Sequence, residues 1–166
     1  CIQFITMEEI KISQNLSKEE KYIELVNQVN LLSKDERDLI ANLSNACSAI
    51  NEVHDFLWTG FYIVKEDELV LGPFQGPVAC TRIGFGRGVC GKSWEEKRSI
   101  IVDDVEKFPG HIACSSKSKS EIVIPIFRGD DVFGLLDVDH TRYGTFDEVD
   151  EKYLKKIVEL IEKKLI

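Results

Sequence analysis

The chain has 166 residues, 43% hydrophobic and 30% charged, which supplies a full core and a well-solvated surface and excludes a disordered chain. A formal net charge of −8 argues against a nucleic-acid or anionic-membrane surface, and no apolar run approaches the length of a membrane span. Five cysteines is an odd number at uneven spacing, a poor disulfide framework that suits a reducing cytoplasm.

The opening segment CIQFITMEEIK has no basic region, long apolar region or cleavage site of a signal peptide. Met7 reads as the natural start, residues 1–6 as a leader foreign to the natural chain, and residues 7–166 as one domain. On that reading Cys1 carries no information. Two helices are expected next. Ser17-Lys-Glu-Glu20 is a capping box, after which Tyr22, Leu25, Val26, Val29 and Leu32 recur at helical spacing. Ser33-Lys-Asp-Glu36 reads as a second box, followed by Leu39, Ile40, Leu43, Cys47 and Ile50, so Cys47 belongs to an apolar face.

The pattern then turns strand-like. Segments 57–64 and 68–72 flank a polar Lys65-Glu-Asp turn and predict a hairpin. Segment 99–105 predicts a strand, and segments 121–127 and 131–139 predict a second hairpin around Arg128-Gly-Asp. A last helix follows, capped by Thr145-Phe-Asp-Glu148, with Val149, Leu154, Ile157, Val158, Ile161 and Leu165 along one stripe. Helices at both ends of a mainly antiparallel sheet make an α+β domain.

Three cysteines, Cys80, Cys90 and Cys114, fall within thirty-five residues, each in a Gly-, Pro- or Ser-rich stretch that reads as loop. One thiolate can attack an oxidised substrate, a second can resolve the product and a third can pass the oxidation outward. Strand alternation sorts the polar residues around them. Phe133, Leu135, Asp137 and Asp139 share one face of 131–139, opposite Val132, Leu136 and Val138. Glu121 faces with Val123 and Phe127, and Trp58 shares a face with Tyr62. Three carboxylates with two aromatics suit a compact cation: the acids neutralise an ammonium and the rings pack on its apolar part. Clustered carboxylates also raise one another's proton affinity, so one can stay protonated as a general acid.

Two rival motifs fail on context. Gly86-Arg-Gly-Val-Cys-Gly91-Lys92-Ser93 satisfies the phosphate-loop pattern, and Ile100-Ile-Val-Asp103 imitates its acidic strand. The stretch before it, VACTRIG, is no buried apolar strand, and KSWEEKR gives barely two helical turns after it. The glycines read better as a loop holding Cys90. Cys80, Cys90, Cys114 and His111 have the residue types for zinc, but no C-x-x-C occurs and the spacing is far from that of structural sites, so no metal is expected. His54 and His140 read as surface or packing residues; His111 reads either as support for a nearby thiolate or as an ordinary loop histidine.

At these residues the chain resembles the free methionine-(R)-sulfoxide reductases, enzymes built on a GAF domain. The likeness runs from about residue 18 to the C-terminus and is strongest in WTGFY (58–62), LGPFQGPVACTRIGFGRGVCG (71–91), FPGHIACSSKSKSEIVIPI (108–126) and LLDVDH (135–140). The cysteine intervals of ten and twenty-four are its specific signal. The resemblance implies a GAF-like fold, with a central, mainly antiparallel sheet and the N- and C-terminal helices packed together on one face. It implies Cys114 as the nucleophile on the sulfoxide sulfur, leaving a sulfenic acid, and Cys80 as the thiol that forms a disulfide with it. Cys90 is a second candidate or a relay. Glu121, Asp137 and Asp139 match the family's pocket acids, and Trp58 and Tyr62 its aromatic wall. The implied partners are free methionine sulfoxide, thioredoxin as reductant with no bound cofactor, and a second copy in a homodimer, in a cytoplasmic response to oxidative stress. Segment 108–120 is a plausible lid. The competing readings are a GAF module that senses a small ligand without turnover, and a protein thiol switch with no use for Trp58 and the acids.

Overall fold

The computed structural model describes residues 10, 12–13, 15–112 and 114–165, so the expected leader, residues 1–6, lies outside the described residues. Helix α1 (Lys18–Ser33) begins as the sequence predicts: the Ser17 hydroxyl accepts from the Glu20 N–H while Glu20 accepts from the Ser17 N–H. Helix α2 (Leu39–His54) begins later than the expected box at Ser33. Ser33 is consumed as the last residue of α1, and Asp38 caps α2 instead, accepting from the Ala41 N–H at 2.9 Å. The last helix, α4 (Glu148–Glu162), is displaced in the same way. Thr145 turns its hydroxyl to the Arg142 carbonyl at 3.0 Å, and Asp147 forms the capping box with Asp150. An aspartate nearer the helix captured each cap.

Between the helices lie β1 (Trp58–Lys65), β2 (Glu68–Gln75), β3 (Arg82–Gly84), α3 (Gly88–Glu96), β4 (Ile100–Val102), a 3₁₀ turn (Val105–Lys107), β5 (Ser120–Arg128) and β6 (Asp131–His140). The six strands form one antiparallel sheet in the order β3-β2-β1-β6-β5-β4. Both predicted hairpins are present. Strand β2 outruns its predicted end because Pro73, which has no N–H to donate, sits where the β1–β2 register shifts. The predicted strand 99–105 shrinks to three residues, since the Asp104 carboxylate accepts from the Glu106 N–H and turns the chain into the 3₁₀ segment. Short β3 has no alternation to announce it.

Helices α1, α2 and α4 cover one face of the sheet, with α1 lying against α4, and α3 packs on the opposite face against β5 and β6. The α+β, GAF-like architecture expected from sequence is the one observed. The two faces have different chemistry. On the helix side Leu25, Leu43, Ile50, Phe61, Ile122, Ile124, Leu136 and Leu154 form a closed apolar core. Burial of each such side chain contributes about 1.5–3 kcal/mol. On the α3 side Trp58, Tyr62, Val89, Val123 and Leu135 form a second cluster that stays partly open. Strand alternation places the acids on that second side for residues 135–139, as expected. It slips at the start of β6: a register shift opposite Ile126–Phe127 sends Phe133 to the helix-side core and Val132 to the other. His54 stacks on Tyr22 and Phe56, and the ring of His140 accepts from the Arg142 N–H, so both are packing residues. No helix among the described residues is long and apolar enough to cross a membrane.

Candidate active site

A cavity of about 50 Å³ opens on the α3 side of the sheet. Its floor is made by neighbouring strands: Glu121 on β5 pairs across from Asp139 on β6, and Asp137 on β6 pairs across from Gly60 on β1. Trp58 and Tyr62 form one wall, their ring centroids 6.0 Å apart. They are fixed from behind by the segment that carries Cys80. The Trp58 indole N–H donates to the Pro77 carbonyl at 3.1 Å, and the Tyr62 hydroxyl donates to the Cys80 carbonyl at 2.9 Å. Gly60 lies between the two rings in sequence, and a Cβ there would stand 2.3 Å from the Trp58 ring. The aromatic wall therefore requires glycine at this position.

Cys114, exposed in the connection from β4 to β5, lies at the mouth and is joined by a disulfide to Cys80, which is half-buried between β2 and β3. Their Cα atoms are 5.6 Å apart. Cys90 is not in a loop, as its glycine-rich surroundings suggested, but in the first turn of α3. Gly88 begins that helix with a positive φ of 62°, and Gly91 packs so tightly that a Cβ would meet the Gly84 carbonyl at 2.5 Å. These glycines serve close packing of a helix, not a flexible loop. Cys90 is free, 4% exposed, with its Sγ 4.0 Å from Glu121 Oε1. The phosphate-loop pattern dissolves in the same helix: Lys92 pairs with Glu95 and Glu96 on its outer surface. The Cys80–Cys114 bond also removes two donors from the zinc set weighed above. Cys47 lies in the helix-side core, its thiol donating to the Pro73 carbonyl.

Burial dominates the electrostatics. It pushes the Glu121 and Asp137 carboxyls well above the ordinary carboxylate range; the charges of Asp137 and Asp139 raise Glu121 further, and that of Asp139 raises Asp137, partly offset by its hydrogen bonding with Cys90 and Glu121. Asp139 is raised by burial to about 6, held from rising further by the Ser118 hydroxyl that donates to it. The Cys90 thiol and the Tyr62 hydroxyl are both raised, first by burial and then by the adjacent acids. His111 sits at the rim with Nε2 3.9 Å from Glu121 Oε2, and burial lowers its pKa, so it is neutral at physiological pH. One buried oxygen, Asp137 Oδ1, has no hydrogen-bond partner. An orphaned buried acceptor beside two more carboxyls fits an incoming cationic donor.

The structure thus brings Trp58, Tyr62, Glu121, Asp137, Asp139, Cys90 and Cys114 into one cavity, with Cys80 bonded at its edge. Two residues that the sequence reading passed over also belong to it. Ser118 bonds Asp139, and Arg87 supplies the only guanidinium among the described residues of the wall. Ser118 lies in an aperiodic loop. Arg87 is hidden by the phosphate-loop pattern, which drew attention to Lys92 instead.

A family model described as GAF domain matches residues 36–163. The chain is 54% identical to GAF domain-containing protein A of Dictyostelium discoideum, over 93% of this chain and 98% of that one. It is 43% identical to the free methionine-R-sulfoxide reductase of Saccharomyces cerevisiae, over 95% of this chain and 92% of the relative. The solved structure of the free methionine-R-sulfoxide reductase from Neisseria meningitidis in complex with its substrate superposes with a TM-score of 0.93. It is 44% identical and covers 96% of each chain.

Proposed function

The chain belongs to the free methionine-R-sulfoxide reductases of the GAF-domain family, and from that premise we propose that it reduces free L-methionine (R)-S-oxide to L-methionine with its own thiols. One observation carries the reading: the Cys80–Cys114 disulfide stands at the mouth of a cavity floored by Glu121, Asp137 and Asp139.

The sulfoxide oxygen is a poor leaving group until protonated. Glu121, buried and strongly raised, holds the proton that the oxygen needs. In the reduced enzyme the Cys114 thiolate attacks sulfur, and the oxygen leaves with that proton onto Cys114 as a sulfenic acid while methionine departs. The Cys80 thiol then attacks the sulfenic sulfur, releasing water and forming the disulfide. Thioredoxin returns two electrons by thiol–disulfide exchange at exposed Cys114. Cys90, buried and with a raised pKa, is a poor nucleophile and stays outside the exchange.

Asp137 and Asp139 receive the substrate ammonium, and Trp58 and Tyr62 pack on its thioether chain. Arg87 takes the α-carboxylate. A peptide-bound methionine sulfoxide has neither terminal charge, so it leaves the acids and Arg87 unpaired and is rejected. The cycle suits the cytoplasm, where thioredoxin is reducing. Ile23 and Leu31 on α1, 45% and 64% exposed, offer an apolar strip for a homodimer, which light scattering on the purified protein tests.

The test of function mixes the protein with racemic free methionine sulfoxide and a dithiol, then quantifies methionine and both remaining epimers. Loss of the R epimer alone, abolished by Cys114→Ser, is the expected result. Survival of both epimers in the presence of excess dithiol would replace catalysis with ligand sensing.

A further inference from the structure

Cys90 is left without a task by the thiol chemistry, yet it is the most rigidly placed cysteine of the cavity. It shares a buried space with two acids, and the ligand atoms of Cys90, Glu121 and Asp137 all lie within 4.8 Å of one another. The three residues come from α3, β5 and β6, so packed elements hold the geometry and no loop has to order. Asp137 lines the cavity at 7% exposure, and its buried Oδ1 has no hydrogen-bond partner. His111 Nε2, 3.9 Å from Glu121 Oε2, stands at the rim as a neutral imidazole, a form that ligates metals.

We propose that Cys90, Glu121 and Asp137 form a binding site for a thiol-seeking divalent cation of the Zn²⁺ class, and that this cation and the substrate exclude each other from the cavity. The donor set selects the class. One thiolate sulfur with carboxylate oxygens and an imidazole suits zinc, whereas magnesium and calcium take oxygen alone. The dimensions fit as well. In a tetrahedral zinc site a sulfur and an oxygen ligand stand about 3.5 Å apart. Cys90 Sγ and Glu121 Oε1 are 4.0 Å apart before any ion draws them in. Burial keeps the three groups protonated while no ion is bound, and a divalent ion at their centre balances the charge they acquire as their protons leave. Binding moves no electrons. The ion displaces the Cys90 thiol proton and the carboxyl protons, which pass to solvent, and forms metal–sulfur and metal–oxygen bonds in their place. This cation is a competitor of the substrate, not a cofactor of the reaction, because it occupies Asp137, which receives the ammonium, and Glu121, which holds the proton for the sulfoxide oxygen.

The disulfide form isolates the site, because Cys80 and Cys114 are then unable to ligate. Full-length protein in that form, with Cys1→Ser throughout, is titrated with Co²⁺ as a zinc surrogate while the thiolate-to-metal charge-transfer band is recorded. One equivalent per chain with that band is expected. Cys90→Ala removes the band, Glu121→Gln weakens binding roughly 10- to 100-fold, and Cys47→Ala, on the other side of the sheet, changes nothing. Circular dichroism checks each variant, and Glu121→Gln decides the matter if Cys90→Ala fails to fold. No band in the parent, a band that survives in folded Cys90→Ala, or undiminished cobalt affinity in Glu121→Gln where that variant has to decide, overturns the site. Free methionine sulfoxide added to the cobalt form should bleach the band; cobalt retained at saturating sulfoxide overturns the mutual exclusion. Turnover by metal-free reduced enzyme is measured apart, so failure of the reductase reading is distinguishable from failure of this one.

Discussion

Asp139 and Ser118 set the working pH of the site. With Asp139 raised to about 6, the carboxylate proposed to hold the ammonium is lost as pH falls through that value. The KM for methionine sulfoxide should therefore rise below pH 6, and Ser118→Ala, which removes the stabilising hydroxyl, should move that rise to higher pH. A pH profile of kcat/KM checks both. The same groups tie stability to pH. A carboxyl whose folded pKa lies above its unfolded value contributes stability that is full below the unfolded pKa and lost as pH rises through the folded one. Raised from its ordinary value of 3.8 to about 6, Asp139 alone accounts for a loss of about 3 kcal/mol of stability at neutral pH. Asp139→Asn should flatten the fall in melting temperature between pH 4 and 7, and thermal scans at fixed ionic strength would show it. Glu121→Gln should cost at least about 10²-fold in kcat while raising the melting temperature at pH 8. The site is stabilised by losing its function. At this scale the acids and the aromatics were legible because alternation along a strand fixes the face of each residue. Ser118 and Arg87 were not, because a loop and a helix start obey no such period.

Among the elements, β1 is the most constrained. Gly60 leaves room for the Trp58 ring and for Phe74, whose Cβ would stand 2.6 Å from an added methyl. Gly60→Ala should tilt Trp58 from the wall, raising KM several-fold and costing about 1–3 kcal/mol in stability. Thiol titration of the reduced variant should still count the same cysteines, which separates displacement of the ring from unfolding. The N-terminus of α4 is the other fixed point. Asp150 is 1% exposed, accepts from the Tyr22 hydroxyl at 2.7 Å, and is paired with Lys18, so it ties α1 to α4. Asp150→Ala should cost about 1–3 kcal/mol by leaving the buried Tyr22 hydroxyl unpaired while Lys18 keeps Asp147, read as a lower urea midpoint. Elements with a repeating apolar pattern, α1, α2, α4 and the two hairpins, could be read from sequence. Their starts could not where two caps competed. Helix α3 was obscured because the glycines that permit its close packing against Gly84 are the residues that usually signal a loop.

Across the whole molecule, the sheet separates stability from chemistry. Its helix side is a closed core, and its other side carries the cavity, the acids and the redox bond. The Cys80–Cys114 disulfide closes a long loop, with a sequence separation of 34. Constraint of the unfolded chain by such a loop is worth about 3–4 kcal/mol. Reduction should lower the urea midpoint accordingly, and Cys80→Ser should match the reduced protein whether or not dithiol is present. The second cysteine of the pair was legible only through family resemblance, because nothing in the spacing of Cys80, Cys90 and Cys114 tells which two meet.

The segment carrying Cys80 also braces the aromatic wall, through the bonds from Trp58 and Tyr62 to the Pro77 and Cys80 carbonyls. Part of the receptor is therefore itself the redox couple. On the proposed cycle such a protein does not need a separate gauge of reducing power, because its turnover is set by the electron supply that restores the Cys114 thiol. When donors run short, chains held in the disulfide form cannot turn over on this cycle, and oxidised methionine is left in circulation until reductant returns.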